Sequence, residues 1–189
     1  MPASVRSVLA AFAVVLSLLI SLPASAQDAS WLDGDFASWN TAGMNIPTAP
    51  TVDGNTDPRC AERERPAGTD EDNALIAKGW HLFLPYQRGW GVTLVSGLAS
   101  YDGMCRPLGY QSFVFVDGVF AGTIAPEPMN SRTDGAASDV KLWYADQVSA
   151  EYLRYAPDDP LCCPSSTDSV QFTIEDTPQG SVLNPVPPQ

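Results

Sequence analysis

The sequence predicts an α+β fold: a curved antiparallel β-sheet or partial barrel with one short N-terminal helix, braced by disulfides. Three observations carry this prediction. From Trp80 onward the chain is a series of β-branched and aromatic runs separated by Gly, Pro, Asp or Ser. A single capped helix signal precedes them, and the cysteine count is even, which in an exported chain is typical of disulfide bonding.

Residues 1–26 have the three parts of a secretory signal peptide. Arg6 is followed by the apolar run Val8 to Ile20 and by the small-residue site Ala24-Ser25-Ala26. We expect cleavage before Gln27, export of the unfolded chain, and a secreted or periplasmic location, with no stable membrane anchor after cleavage. A retained anchor is the alternative.

The net charge of −12 argues against two classes of partner. An acidic surface repels nucleic-acid phosphates and anionic lipid, so neither nucleic-acid nor membrane-surface binding is expected. A hydrophobic content of 44% supplies enough material for a core, and the length fits one domain.

Residues 27–58 have no helical or strand period and are predicted to form an extended, Pro-containing arm. Trp31 and Trp39 make the arm costly to leave in water. Either it docks on its own domain or it is a recognition segment for a partner. The domain proper is expected over 59–176.

A calcium-binding loop can be considered between Asp53 and Glu64, where oxygen ligands fall at positions one, three, five and twelve. Pro58 occupies the position that needs Gly, so a polar loop leading into Cys60 is favoured. Thr69-Asp-Glu-Asp72 then resembles a helix N-terminus, and a helix is predicted from Asp70 to Lys78.

Asp117-Gly118 is typical of a two-residue hairpin turn. Counting outward predicts four facing pairs: Val116 with Val119, Phe115 with Phe120, Val114 with Ala121, and Phe113 with Gly122. One face of this hairpin is aromatic and the other is aliphatic, so a packed layer is expected on each side. The predicted strands are 80–86, 91–96, 110–116, 119–124, 140–145, 148–155 and 170–175. The Pro-containing residues 177–189 are predicted to be a disordered tail.

Cys60, Cys105, Cys162 and Cys163 are predicted to form two disulfides. A bond between adjacent cysteines closes a strained ring, so pairing of Cys162 and Cys163 with the two distant cysteines is preferred. Metal binding is not indicated, because C-x-x-C spacing and histidine partners are missing from the sequence. No cofactor is expected.

The best candidate site is the long connection from Ala125 to Gly135, since such loops are often functional. Its polar residues could bind an anionic or polyhydroxylated group, together with Asp102 and Arg106 at the sheet end; they are Asn130, Ser131, Arg132, Thr133 and Asp134. Alternatively, Arg132 and Asp134 pair to fix the loop. His81, the only histidine, has no visible catalytic partner.

Several segments together resemble the LppP/LprE family of bacterial envelope proteins: Asp102 to Tyr110, Phe113 to Gly118, Pro128 to Gly135 and Cys162 to Ser165. The resemblance extends over roughly Ser38 to Glu175. It implies an envelope location and a non-enzymatic role, and it transfers no catalytic residues. Gln27 stands where a lipoprotein has its lipidated Cys, so no lipid anchor is expected.

Three functions follow as hypotheses. The first is a non-catalytic envelope or extracellular protein that binds a small polar ligand or another envelope component through the Pro128–Gly135 loop. The second is a secreted hydrolase that uses the acids of that loop and His81. The third is a partner-binding protein that acts through the Trp31 and Trp39 arm.

Overall fold

The computed structural model describes residues 30–34, 36–55 and 57–187. The predicted signal peptide and its cleavage site before Gln27 lie outside these residues. Within the described ranges, no helix has the length and apolar character needed to cross a membrane.

Eight strands form two open antiparallel sheets of four. Sheet I has the order β1-β2-β5-β6 and contains His81–Gly89, Val92–Leu98, Gln111–Val116 and Val119–Thr123. Sheet II has the order β10-β9-β8-β7 and contains, in chain order, Ala137–Tyr144 (β7), Gln147–Arg154 (β8), Ser166–Thr177 (β9) and Gly180–Val186 (β10). Two short strands, β3 (Ser100–Tyr101) and β4 (Pro107–Leu108), pair with each other.

The predicted antiparallel α+β character is confirmed, but the sheets do not close into a barrel. The connection after β6 carries the chain out of sheet I and into sheet II, so the strands divide into two stacked layers. Their facing residues form one shared core, with members such as Leu94 and Val114 from sheet I and Tyr152 and Phe172 from sheet II.

The central hairpin has the predicted turn, since Asp117 and Gly118 both have positive φ values, 48° and 79°. The first two predicted pairs, Val116 with Val119 and Phe115 with Phe120, are confirmed. The next two are shifted by one residue, because a β-bulge pairs Val114 with Gly122. Sequence counting assumed a regular ladder and therefore missed the bulge.

The aromatic face of the hairpin forms a second core beneath the helix. Phe113, Phe115 and Phe120 pack there with Trp80 and Leu75. The expectation of a packed layer on each side of the hairpin is therefore confirmed: sheet II covers one face and helix α2 (Asp70–Ile76) covers the other.

The described residues contain two α-helices where the sequence predicted one. Helix α2 (Asp70–Ile76) begins at the predicted cap, where the Asp72 N–H donates to Thr69 Oγ1 at 3.1 Å. The additional α1 (Pro58–Ala61) is a single turn in the stretch predicted to be a polar loop. Asp57 caps it and Pro58 takes its first position, where a missing N–H costs nothing.

The arm lies on its own domain. Trp31 Nε1 donates to the Gly135 carbonyl at 3.2 Å, and Trp39 Nε1 donates to the Thr123 carbonyl at 3.1 Å. The Trp31 ring also meets Tyr152 edge-on, with 4.9 Å between ring centroids. The self-docked interpretation of the arm is confirmed for its described residues, and this argues against a free recognition segment.

The predicted disordered tail is wrong for most of its length. Gly180–Val186 forms β10, which pairs along its whole length with β9. Val182 and Leu183 are buried in it. Pro185 is tolerated because β10 is the outer strand of sheet II, where a missing N–H leaves no ladder bond unmade.

The preferred disulfide pairing is also wrong. Cys60 bonds to Cys105, and Cys162 bonds to Cys163. Helix α1 is held against the β3–β4 turn by Asn55 N–H, which donates to Tyr101 O, and by Arg63, which donates to Cys105 O at 3.0 Å. These contacts bring Cys60 within 4.9 Å of Cys105 between Cα atoms, and the exposed vicinal pair is left to bond to itself.

Candidate functional site

The Ala125–Gly135 connection is fixed to sheet I at its centre. Met129 and Tyr110 exchange two backbone hydrogen bonds of 2.7 and 2.8 Å. Asn130 Oδ1 accepts the Gly109 N–H at 2.8 Å, and Ser131 Oγ donates to the Pro107 carbonyl at 2.8 Å. These two predicted site residues therefore hold the loop to β4 and to the start of β5.

Asp134 pairs with an arginine from sheet II. Its Oδ1 accepts from Arg154 Nε at 3.2 Å and from the Tyr155 N–H at 2.7 Å. Arg154 also binds Asp33 of the arm and Asp168 of β9, each at 2.6 Å. The hydrogen bond that Arg154 donates to Asp33, together with its contacts to the other two carboxylates, raises the pKa of Arg154 despite its partial burial.

The predicted pairing of Arg132 with Asp134 is wrong, because Arg154 takes that carboxylate. Arg132 has a left-handed backbone, with φ of 64°, at the loop's sharp turn. Asp102 and Arg106 pair with each other across the β3–β4 turn. Burial raises the pKa of Asp102, but its hydrogen bonds from Arg106 and Met104 outweigh this and hold that pKa below its usual range.

A cleft of about 470 Å³ lies beside this loop, between sheet I and β7. Phe83 and Leu94 line it from sheet I, Tyr110 lines it from the residue before β5, and Val140 lines it from β7. Of the seven polar residues predicted to form the site, Ser131 is the one that lines this cleft. The structure thus places this cleft next to the predicted loop rather than within it.

Two serines form the polar part of the cleft floor. Ser96 and Ser112 are paired across β2 and β5, and their hydroxyl oxygens are 2.7 Å apart. Both are buried among apolar neighbours. Two hydroxyls hold two hydrogens, and the bond between them uses one, so the other is free to donate to an acceptor in the cleft.

The rim of the cleft contains a distorted segment of β1. Pairing of β1 with β2 is interrupted between Phe83 and Gln87, and Leu84 has a φ of 60° there while 57% of its surface is exposed. A branched residue in this region of φ costs on the order of 1 kcal/mol or more. Gln87 then crosses to sheet II, donating to the Val140 carbonyl at 2.7 Å and accepting the Leu142 N–H at 2.9 Å.

The other side of the loop borders a second cavity, of about 420 Å³, which Trp31 of the arm also lines. Asn130, Thr133 and Asp134 line it. The loop therefore lies between two cavities: Ser131 lines the cleft, three of its residues line the second cavity, and Arg132 lines neither.

His81 lies in a third cavity, of about 240 Å³, away from the acids of the loop. Its Nδ1 is 3.0 Å from Glu64 Oε2. Tyr101 lines the same cavity, and its buried hydroxyl has no hydrogen-bond partner among the described residues. Burial, with the nearby charge of Glu64, raises the pKa of Tyr101 to about 12, so this phenol stays protonated at neutral pH. The structure does not bring together the histidine and loop acids that the hydrolase hypothesis requires.

Sequence reasoning missed Ser96, Ser112 and Tyr101. A usable signal existed for the serines, because each occupies an inward position of a strand whose neighbouring inward positions are Leu94 and Val114. No comparable signal existed for Tyr101, because its isolation depends on how α1 packs on the β3–β4 turn.

Residues 93–177 match the model of the LppP/LprE lipoprotein family. The match extends from β2 to the end of β9 and includes the cleft floor, the loop and the vicinal cysteines. It confirms the resemblance over that range, while the arm segment 38–50 lies outside it. A lipoprotein family implies a location in the cell envelope. Neither a curated protein nor a solved structure matches the chain.

Proposed function

We propose that this chain, whose residues 93–177 belong to the LppP/LprE lipoprotein family, is a non-catalytic binding protein of the cell envelope, periplasmic or secreted. Its ligand is a small amphipathic molecule held between the two sheets. The observation that carries the proposal is the cleft of about 470 Å³, with its apolar walls and the buried Ser96–Ser112 pair on its floor. That volume falls within the range of small-molecule sites.

The lining predicts the ligand's chemistry. Phe83, Leu94 and Val140 favour an apolar body, and the free hydroxyl hydrogen of the serine pair favours a carbonyl, ether or ester oxygen at its buried end. Ser131 and Asp139 add polar contacts to a more hydrated end. The net charge of −12 disfavours anionic ligands, so a neutral or cationic molecule is expected.

The lining also favours binding over catalysis. Two of its residues titrate, Asp139 and Tyr110. Asp139 is held by Lys141 at 2.7 Å. Burial raises the pKa of Tyr110, and its hydroxyl donates to the Ala137 carbonyl at 2.7 Å. Each titratable group is thus engaged in a structural contact, and neither is positioned as a free acid or base.

The neutral fluorophore N-phenyl-1-naphthylamine tests the cleft. We expect saturable binding of one molecule per chain to the wild-type protein, with increased emission. Ser138→Trp places an indole at the exposed edge of the cleft and should weaken binding at least tenfold. Ser166→Trp is the matched control, at an exposed position outside the cleft lining, and should bind as the wild type does.

Native mass spectrometry of the protein recovered from its exported fraction complements this titration. A retained small molecule that Ser138→Trp no longer carries supports the proposal and gives the ligand's mass. Equal fluorophore binding by both tryptophan variants, or no saturable binding by the wild type, would overturn it.

A further inference from the structure

Three aromatic residues are exposed at one corner of the molecule. Trp90, at the β1–β2 turn, is 65% exposed, while Tyr144 and Trp143 at the end of β7 are 59% and 49% exposed. The Trp90 and Tyr144 rings are tilted toward each other with centroids 6.1 Å apart. Both sheets therefore contribute to one aromatic surface, which is separate from the cleft.

Trp90 is in an unfavourable conformation for its residue type. Trp90 and Gly91 form the two-residue turn with φ values of 54° and 79°. The first position of such a turn favours Asn, Asp or Gly. Trp at this position destabilises the fold in two ways, through its strained backbone and through the apolar area that it exposes to solvent. Removing either cost would stabilise the fold, so the residue's presence indicates a role at the surface.

The turn that carries Trp90 is held rigidly. The Asp117 N–H of the neighbouring hairpin tip donates to the Gly91 carbonyl at 2.7 Å. A side chain at Gly91 would collide with the Asp117 carboxylate, since an added Cβ would lie 2.6 Å from Oδ1. The indole is therefore presented from a fixed turn.

Trp143 is also fixed in orientation. Its Nε1 donates to Ser149 Oγ at 2.8 Å, and the Lys141 ammonium lies 5.9 Å from the ring. A bulge between Leu142 and Tyr144 lets consecutive aromatic residues line the same groove. The Trp143 side chain is 49% exposed, so one face of its ring can contact a ligand.

The rest of the groove is polar. It has a volume of about 320 Å³ and runs over the outer face of β7, β8 and β9. Lys141, Ser149 and Gln171 are register partners in one row across these strands, and Asp139, Glu151 and Ser169 are partners in the next. Each row contains hydrogen-bond donors and acceptors in contact with solvent.

We propose that this groove binds a neutral oligosaccharide. Sugar rings present apolar C–H faces, which pack on indole and phenol rings, and edges of hydroxyls that both donate and accept hydrogen bonds. Trp143 and Tyr144 supply the first kind of contact, and the two rows supply the second. The acidic surface disfavours anionic glycans, and the polar groove distinguishes this face from an apolar patch suited to membrane insertion.

The five tryptophans allow the test to contain its own control. In ¹H–¹⁵N spectra each indole N–H gives one signal, assigned through single Trp→Phe variants. Maltotriose, cellotriose, mannotriose and chitotriose are titrated separately. We expect at least one sugar to shift the signals of Trp90 and Trp143 while those of Trp31, Trp39 and Trp80 stay in place.

Affinity measurements complete the test. Trp143→Ala should weaken binding of the active sugar at least tenfold. Trp90 is not part of the groove lining, but its ring packs beside Tyr144 at the groove's end, so Trp90→Ala should weaken binding too, by less than Trp143→Ala does. Leu161→Ala, at an exposed apolar residue outside both the groove lining and this aromatic pair, should leave binding unchanged. No shift with any of the four sugars, or equal affinity in the tryptophan variants, overturns the proposal. Shifts of Trp90 and Trp143 with phosphatidylcholine–phosphatidylglycerol vesicles in place of the sugars would assign the surface to lipid and overturn it equally.

Discussion

Asn40 joins the arm to the outer strands of both sheets, and its replacement by alanine is expected to be costly. The side chain is 3% exposed and donates to the Thr123 carbonyl at 3.0 Å and the Leu183 carbonyl at 2.8 Å. It also accepts the Thr123 N–H at 2.9 Å. Trp39 Nε1 still donates to the Thr123 carbonyl after the change. Two buried backbone groups therefore lose their hydrogen bond to Asn40 without replacement, the Thr123 N–H and the Leu183 carbonyl. At about 1–3 kcal/mol for each unsatisfied group, the free energy of unfolding should fall by about 3 kcal/mol.

Urea unfolding of the oxidised protein measures this loss. We expect a lower midpoint at an unchanged m value, and a melting temperature lower by roughly 6–12 °C for a chain of this size. Asn73→Ala is the matched control, because Asn73 is exposed on α2 and makes one side-chain hydrogen bond, to Thr69 O. It should change stability by less than about 0.5 kcal/mol. An Asn40→Ala protein as stable as the Asn73→Ala protein would refute the assignment of Asn40 as the link between the sheets.

Three further outcomes are expected. Tyr101→Phe removes a buried hydroxyl that has no hydrogen-bond partner in the described part of the chain, and it should raise the free energy of unfolding by about 1 kcal/mol. Tyr152→Phe loses a hydrogen bond to the Ile124 carbonyl and should lower that free energy. Thermal melting of both variants measures this, and a loss of stability in both would contradict it. Replacing Cys60 and Cys105 with serine should lower the free energy of unfolding by about 4 kcal/mol, because the lost disulfide closes a loop of 45 residues and so restricts the unfolded chain strongly. Replacing Cys162 and Cys163 with serine should lower it little, because that loop is minimal. Equal losses in urea unfolding would contradict this explanation by loop entropy. Burial raises the pKa of Asp72, but hydrogen bonds from Arg65 and the Gly68 N–H outweigh burial and lower that pKa below 3.8. The ionised carboxylate therefore contributes stability above that pH, and the contribution is lost as the pH falls below it. Asp72→Asn should flatten the dependence of the unfolding free energy on pH between about pH 5 and 2, which acid titration of unfolding measures.

Local signals in the sequence predicted the parts of the fold that depend on local physics. The Asp117-Gly118 turn and the Thr69 cap are each determined by a few neighbouring residues, and both are confirmed. The division into two sheets depends on where the chain goes after β6, which no local pattern encodes. The β10 strand was missed because Pro185 argues against a strand in general, although an outer strand accommodates it.

The candidate site shows the same limit. Length and composition identified the 125–135 loop, and Ser131 does line the cleft beside it. The partners of its charged residues could not be predicted, because Arg154 is distant in sequence and reaches Asp134 only once the sheets are stacked. The vicinal disulfide was missed for a related reason. Ring strain argues against it, but whether Cys162 and Cys163 can reach Cys60 and Cys105 depends on distances that only the folded structure determines.

The contact between Asn40 and Leu183 has a consequence for the order in which the chain can fold. It joins residues 143 positions apart, and Trp31 reaches Gly135 across 104 positions. Contacts this distant in sequence bear a large loop-closure entropy before they stabilise anything, and they slow folding. The arm cannot complete its docking until β10 is in place, so the first described residues of the chain wait for nearly the last ones before their contacts form.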